Sequence, residues 1–435
     1  MILYLSNSIV YKEPIQLVRC IHHVQCERIT TTYYGEKNGM QLYLAFSVVF
    51  IIVFLGLALF ENGKIINWAI MFNDPDWNFT DFFRQIIYAS NLNLIYFNTN
   101  DAPFPPFAYV FYHFLYLINP FVAPVELSSW TLARDKSFNM LIFLFLEIIK
   151  ILLLFISVQC LLKKKYSSNT LILFFVSILF SIPFLFGAVE RGNIILLVIG
   201  LLLFAFYFRD SDKMLYKEIA LILIAVCTAI KVYPAIIGLI YIKEKRYKEA
   251  FRLLIYGILF FFVPFVFTGG FQGLMQYIRV LSEFGTRTIS RWTSLNSFIY
   301  ATADALKPGI DKQSLLPLVL VVENVFLFIN VLSFFKCKKK FVSYILLCSI
   351  LSVYVSDSYR YTAVYMLIPF IYFLLKEEKE RFDFVYLILF SLVFSIPVYA
   401  YLLHLSVVDF FIFVPIYLLC FVAYLDTWVF QRKAI

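Results

Sequence analysis

The chain has 435 residues, of which 62% are hydrophobic and 15% charged, and its formal net charge is +9. Soluble domains carry about 25% charged residues, so this composition, with a mean hydropathy of +0.83, excludes an ordinary soluble protein. Most Lys and Arg residues form short clusters between apolar runs, which is typical of membrane topology signals rather than of nucleic-acid binding. The composition predicts an all-α polytopic membrane protein.

The first 39 residues differ from the rest of the chain. Four soft metal ligands occur close together there: Cys20, His22, His23 and Cys26. Zinc ligands usually form two separated pairs, and this cluster is too tight for that spacing. Because Met40 directly precedes the first apolar run, we interpret residues 1–39 as a leader or a mis-called start and residues 40–435 as one membrane domain. The sequence indicates no cofactor and leaves a divalent metal open.

Apolar runs that are long enough to cross a bilayer recur after Met40. A crossing helix needs about 20 residues, which predicts about 11–13 transmembrane helices. The expected spans are 41–60, 105–124, 138–162, 169–187, 194–208, 218–242, 250–268, 315–335, 341–356, 361–375, 384–403 and 409–430. Four cysteines within these runs are interpreted as small core residues rather than disulfide partners: Cys160, Cys227, Cys348 and Cys420.

The bias of Lys and Arg in the short loops predicts the orientation of the helices. The basic clusters 163–165, 243–248, 336–340 and 376–383 are expected on the cytoplasmic side. The acidic loop 61–105, the segments 269–312 and 356–361, and the loop around His404 are then extracytoplasmic.

Two segments do not fit a simple alternation of cytoplasmic and extracytoplasmic loops. Both ends of 218–242 are predicted to be cytoplasmic, and Pro234 bars regular helix geometry before it. We therefore expect two short helices that meet near Lys231–Pro234, toward the outer face. For 105–162, either the 105–124 segment is re-entrant or the basic cluster 163–165 violates the charge rule.

Polar residues beside the apolar runs are predicted to share one outer cavity. Asp74 and Asp76 flank Pro75 in the first outer loop, and five cations are expected on the same side: Arg191, Lys231, Arg287, Arg291 and Arg360. Ionisable groups at membrane depth indicate function. A carboxylate can accept the proton of an attacking sugar hydroxyl, and cations can stabilise a departing phosphate.

Simpler interpretations exist for several of these residues. Asp74 and Asp76 can be part of a solvated loop, and Asp81 can be a helix-start residue. Arg191 can occupy a plain turn with Glu190 as its partner, while Arg287 and Arg291 can bind anionic lipid. His113 is expected to be a hydrogen-bonded helix residue, and the outer His404 is a weaker candidate for proton transfer.

Several segments together resemble a known enzyme family. Besides the acidic first loop, they are FPPFAYVFYHFL (104–115), ERGNIILLVIGLLLFAFYFRD (190–210), AVCTAIKVYPAIIGLIYIKEKRYKEA (225–250) and SLNSFI (294–299). Their order is similar to that in the polyprenyl-phosphate-mannose-type mannosyltransferases of glycosyltransferase family 87, which have the membrane GT-C fold. The chain departs from the family at Phe104, where Tyr is common, and after Asn193, where a second Asn is common.

The resemblance implies an inverting transfer of one hexose from a polyprenyl-phosphate sugar to a lipid-linked or glycan acceptor, at the outer face of a bacterial inner membrane. Asp74 or Asp76 would be the general base, and the five cations would contact the donor phosphate. The expected substrate-binding residues are Asn193, Tyr233, Asn296 and His404. Two other functions remain open: a flippase or transporter of lipid-linked glycan, and a polysaccharide polymerase or ligase.

Overall fold

The regular structure of this protein is helical. The computed structural model describes residues 39–70, 78–98, 102–118, 134–135, 137–287, 294–306, 312–354, 359–378, 380–403 and 408–430, and no strand occurs within these ranges. The leader with its cysteines and histidines lies outside the described residues. The all-α class predicted from the sequence is confirmed.

The helices are numbered here in chain order. The first half contains α1 (Gly39–Phe60), α2 (Lys64–Ala69), α3 (Thr80–Tyr88), α4 (Ile95–Asn98), α5 (Pro106–Leu117), α6 (Ser137–Leu162), α7 (Ser168–Leu179), α8 (Ile195–Phe208) and α9 (Met214–Ile230). The second half contains α10 (Leu239–Lys243), α11 (Tyr247–Phe262), α12 (Gly270–Arg287), α13 (Leu295–Leu306), α14 (Lys312–Lys336), α15 (Lys340–Ser349), α16 (Leu367–Leu375), α17 (Asp383–Val393), α18 (Val398–Leu402) and α19 (Val408–Leu425).

Five segments of the described chain are long and apolar enough to cross a membrane. They are Gly39–Phe60, Ser137–Leu162, Tyr247–Phe267, Ser314–Lys336 and Ile412–Phe430, which include all or most of α1, α6, α11, α14 and α19. Helix α6 has 26 residues and is therefore about 39 Å long, whereas the hydrocarbon core is about 30 Å thick. Six further apolar helical segments have only 10–17 residues. The polytopic membrane class is thus confirmed, while the number of crossings stays a prediction.

Helix α6 packs along α8, α8 packs on α9, and α9 packs on α11. The buried face of α6 follows a helical stripe of period three to four. Its members are Asn139, Phe143, Glu147, Lys150, Leu154, Ser157, Val158 and Leu162. A second group, formed by α14 to α17 and α19, packs beside this one. Two charged residues, Glu147 and Lys150, therefore occupy the interface that α6 shares with α8.

The break predicted in 218–242 is present. Helix α9 ends at Ile230, and Lys231 has an extended backbone with φ −141° and ψ 123°. Pro234 then lies in a 3₁₀ turn, Tyr233–Gly238, which leads into α10. The interruption places the Lys231 side chain at the junction of two short helices.

Helix α5 covers only part of the segment whose path was left open between a crossing and a re-entrant helix. It has 12 residues, about 18 Å, and is too short to cross the bilayer alone. Residues 119–133 lie outside the described residues, so both alternatives stand.

The turn at 190–193 packs unusually closely against its neighbours. Gly192 has φ +63°, and a Cβ atom there would lie 2.9 Å from Phe82 Cβ and 2.9 Å from Phe143 Cε2. The Phe79 N–H donates a hydrogen bond to the Glu190 carbonyl at 2.8 Å. The absence of a side chain at Gly192 lets α3, α6 and this turn meet.

We expect Gly192→Ala to destabilise the protein. Alanine in the left-handed region is disfavoured by about 1–2 kcal/mol, and overpacking adds about 1–3 kcal/mol. The thermal unfolding midpoint of the detergent-solubilised protein should therefore fall. Gly257→Ala is the control, because nothing lies within 4 Å of a Cβ atom at that position. Equal midpoints for the two variants would contradict this account of the turn.

The predicted orientation can be tested by labelling single cysteines in a cysteine-free background. Cysteines at Asp76, Ser290 and Ser358 should react with an impermeant maleimide in intact cells, because placing the basic clusters on the cytoplasmic side puts these three segments outside. Cysteines at Lys245 and Lys338 should react only after permeabilisation. Labelling of position 245 from outside would contradict the orientation and the shared outer cavity.

Candidate functional site

Asp81 joins the first loop region to the turn before α8. Its Oδ1 accepts a hydrogen bond from Arg191 Nη2 at 2.5 Å, and its Oδ2 accepts one from Asn193 Nδ2 at 2.6 Å. The Arg191 side chain is 8% exposed and that of Asp81 is 18% exposed. Burial lowers the pKa of the Arg191 guanidinium, but the neighbouring Asp81 carboxylate raises it, and the net shift is upward. Arg191 is therefore a permanent cation, and the carboxylate beside it stays accessible.

Asn193 holds the beginning of α8 in place. Its Oδ1 accepts a hydrogen bond from the Ile195 N–H at 3.0 Å, which satisfies one of the free donors of the helix N-terminus. Its backbone carbonyl accepts a hydrogen bond from Lys150 Nζ at 3.3 Å. Lys150 also forms an ion pair with Glu147, one turn earlier on α6. One asparagine thus links α8, α6 and Asp81.

Lys231 is a buried cation in an aromatic cage. Its side chain lies among the rings of Phe104, Tyr233 and Tyr361, with Nζ 5.0, 5.6 and 5.2 Å from their centroids. The residue is 4% exposed. Within the described part of the chain it makes no ion pair. Ring faces stabilise an ammonium by about 0.5–2 kcal/mol each but do not neutralise its charge.

Arg360 and Tyr361 connect the two cationic groups. Arg360 is buried, and its Nη1 donates a hydrogen bond to the Ala69 carbonyl at 2.5 Å. The 3₁₀ segment that Arg360 begins packs on the π-helical segment Phe184–Val189, just before Arg191. Tyr361 is in ring contact with Lys231 and close enough to Arg191 to interact with it electrostatically. Arg191, Lys231 and Arg360 therefore surround one region.

The structure brings together five of the site residues that the sequence predicted. They are Arg191, Asn193, Lys231, Tyr233 and Arg360. Asn296 lies at the start of α13, where its Oδ1 is buried and has no hydrogen-bond partner among the described residues. Arg287 ends α12, and its side chain is not among the described ones. The remaining predicted site residues lie outside the described residues: Asp74, Asp76, Arg291 and His404.

Two interpretations made from the sequence are extended by the structure. The simple turn interpretation gave Arg191 the partner Glu190; the structure shows that its guanidinium pairs with Asp81. Asp81 lies in the first turn of α3, as a helix-start residue would, and its carboxylate also accepts hydrogen bonds from Arg191 and Asn193. The expectation for His113 is confirmed, because its Nδ1 is 2.6 Å from the Ala89 carbonyl.

The sequence interpretation missed Glu147 and Lys150. The signal was present, since two opposite charges three residues apart in a 26-residue apolar helix are expensive in a membrane unless they pair. Asp81 could not be found this way, because its partner Arg191 lies 110 residues further along the chain. Among the described residues, no three His, Cys, Asp or Glu side chains come together as a metal site.

A family model for glycosyltransferase family 87 matches residues 104–356, more than half of the chain. This region includes Lys150, Arg191, Asn193 and Lys231. No curated protein matches the chain. The family model therefore agrees with the family that the sequence motifs indicated. The apolar helices of the chain are consistent with a membrane protein of this family. The chain belongs to glycosyltransferase family 87 and is a membrane glycosyltransferase.

Proposed function

We propose that this enzyme transfers one mannose-like hexose from a polyprenyl-phosphate sugar to a lipid-linked or glycan acceptor, with inversion at the anomeric carbon. The reaction takes place in a GT-C fold at the outer face of a bacterial inner membrane. The observation that carries this proposal is the buried Lys231 ammonium, which has an aromatic cage and no ion-pair partner among the described residues. An anionic ligand would neutralise the charge of such a cation.

The phosphate of a polyprenyl-phosphate sugar suits this environment. A buried charge without a partner is unfavourable, and a phosphate placed beside Lys231 would supply the missing counter-charge. Arg191 and Arg360 lie around the same region, and guanidinium groups bind phosphate oxygens in a fixed planar geometry. The isoprenoid chain would remain in the bilayer, so the donor can enter the site from the membrane.

Asp81 is the carboxylate that best suits the role of general base. It pairs with Arg191, and its side chain keeps 18% exposure. Although each oxygen accepts one hydrogen bond, a carboxylate has about four lone-pair sites, so an acceptor hydroxyl can still bind. Asp74 and Asp76 precede α3 in the sequence, and their role as base remains the prediction made from the sequence.

The chemical step follows from these roles. The acceptor hydroxyl oxygen forms a bond to the anomeric carbon while its proton passes to the Asp81 carboxylate. The bond between the anomeric carbon and the phosphate oxygen breaks, and its electron pair leaves with polyprenyl phosphate. Lys231 and Arg191 stabilise the negative charge that grows on this leaving group. Attack on the face opposite the leaving group inverts the configuration at the anomeric carbon.

Lys231→Met should impair use of the donor. The variant keeps the length and apolar contacts of the side chain but removes its charge, so transition-state stabilisation should weaken by about 1–3 kcal/mol and kcat/KM for polyprenyl-phosphate mannose should fall roughly fivefold to 150-fold. The measurement is transfer of labelled mannose in proteoliposomes.

Lys213→Met is the matched control, because Lys213 also lies over a tyrosine ring, 5.6 Å from the centroid of Tyr216, but outside the site. It should retain parental kcat/KM. Parental activity of Lys231→Met, or an equal loss in both variants, would count against a phosphate contact at Lys231.

Replacement of the base should affect the rate more than binding. Asp81→Asn preserves shape and the capacity to accept hydrogen bonds but removes the proton acceptor, so kcat should fall by about 10²–10⁴-fold. Binding of polyprenyl phosphate should persist, because the carboxylate acts on the acceptor hydroxyl and not on the donor. This binding can be measured by the shift in the thermal unfolding midpoint that polyprenyl phosphate produces.

Asp74→Asn and Asp76→Asn are the matched variants from the same loop. If one of them loses transfer while folded Asp81→Asn retains it, the base is the residue that the sequence predicted. If all three variants transfer mannose at the parental rate, the proposed mechanism is wrong.

A further inference from the structure

A pair of opposite charges lies within the membrane-spanning helix α6. Glu147 and Lys150 are 4% and 7% exposed and form an ion pair. Burial of an ion pair removes two charges from water, and a well-packed apolar pair is often as stable or more stable. The position of the pair must therefore be explained by something other than stability alone.

The pair is incompletely satisfied as a structural element. Glu147 Oε2 is buried and has no hydrogen-bond partner within the described part of the chain. A half-satisfied polar network is less stable than an apolar core. Among the described residues, the pair makes one hydrogen bond to another residue, from Lys150 to the Asn193 carbonyl in the turn before α8.

Lys150 connects this pair to the candidate base. Its Nζ donates to the Asn193 carbonyl at 3.3 Å, and the Asn193 amide donates to Asp81 Oδ2 at 2.6 Å. Lys150 is also close enough to Asp81 to interact with it electrostatically. The Asn193 peptide and side chain are thereby held from two sides, by α6 and by the α8 N-terminus.

We propose that Lys150 is a positioning residue for Asp81, and that Glu147 holds and neutralises it within the membrane. Lys150 fixes the Asn193 backbone, and Asn193 in turn fixes the orientation of the carboxylate. Lys150 is buried between α6 and α8, so it acts through Asn193 and not on the substrate. This inference rests on the proposed role of Asp81 as general base.

The test compares the parental enzyme with a double variant in which both members of the ion pair are replaced by neutral residues. Glu147→Gln/Lys150→Met removes both charges and the donor to Asn193 while leaving no unpaired charge. Because small displacements of a reacting group cost on the order of 10²-fold in rate, kcat for mannose transfer from polyprenyl-phosphate mannose should fall about that much. KM for the donor should stay within about twofold, since Lys231 and Arg191 are unchanged. Lys150→Arg keeps a donor to Asn193 and should retain most of the activity.

A second neutral pair controls for the loss of an ion pair in the helix bundle as such. Glu218 of α9 and Arg252 of α11 pair away from the site, and Glu218→Gln/Arg252→Met should keep the parental kcat. A folded Glu147→Gln/Lys150→Met with parental kcat overturns the inference, as does a loss confined to KM or a loss of equal size in Lys150→Arg. If the neutral pair does not fold, Lys150→Arg carries the test: it keeps both the ion pair and a donor to Asn193 and should retain kcat, and a drop as large as that of Asp81→Asn overturns the inference.

Asp81→Asn, measured beside these variants, separates this inference from the proposed function. Loss of transfer in Asp81→Asn together with full activity in Glu147→Gln/Lys150→Met would exclude only the positioning role of Lys150. Full activity in Asp81→Asn would remove the assignment of the base and, with it, the role of Lys150.

Discussion

The contact of Asp81 with Arg191 and Asn193 is the interaction on which the rest of the site depends. It bridges 110 residues of sequence and ties α3, which follows the first loop, to the turn before α8. Gly192 makes this approach possible because its positive φ and missing side chain let the turn sit against Phe82 and Phe143. A local backbone requirement at one glycine therefore determines where a carboxylate and a guanidinium meet.

The membrane environment determines how the buried charges of this protein can be stabilised. In hydrocarbon a charge is tolerated when it is paired or when it faces a functional cavity. Glu147 with Lys150 and Asp81 with Arg191 satisfy the first condition. Lys231 does not, since within the described part of the chain its ammonium contacts three aromatic rings and makes no ion pair. This difference separates Lys231, whose charge is suited to a ligand, from Lys150, whose charge is already paired.

The sequence was sufficient for features that depend on local chemistry. Composition predicted the helical membrane class, Pro234 predicted the break beside Lys231, and the order of short motifs predicted the family. It was insufficient for pairings between distant segments. Asp81 and Arg191 each had a plausible local explanation, as a helix-start residue and as a partner of Glu190, and only the packing of α3 against the 190–193 turn reveals their contact.

The aromatic cage also bears on how binding energy can serve catalysis. A carboxylate beside Lys231 would neutralise it in the free enzyme, and a phosphate would then have to displace that partner. Aromatic rings instead hold the ammonium through weaker, non-neutralising contacts, so most of its charge remains to interact with a ligand. In the proposed reaction, polyprenyl phosphate gains negative charge as the glycosidic bond breaks, and its attraction to Lys231 and Arg191 grows with it. Interactions that strengthen toward the transition state accelerate the chemical step, whereas those equally strong in the ground state do not. An unpaired, caged lysine is therefore better suited to stabilising a leaving phosphate than a lysine already in an ion pair.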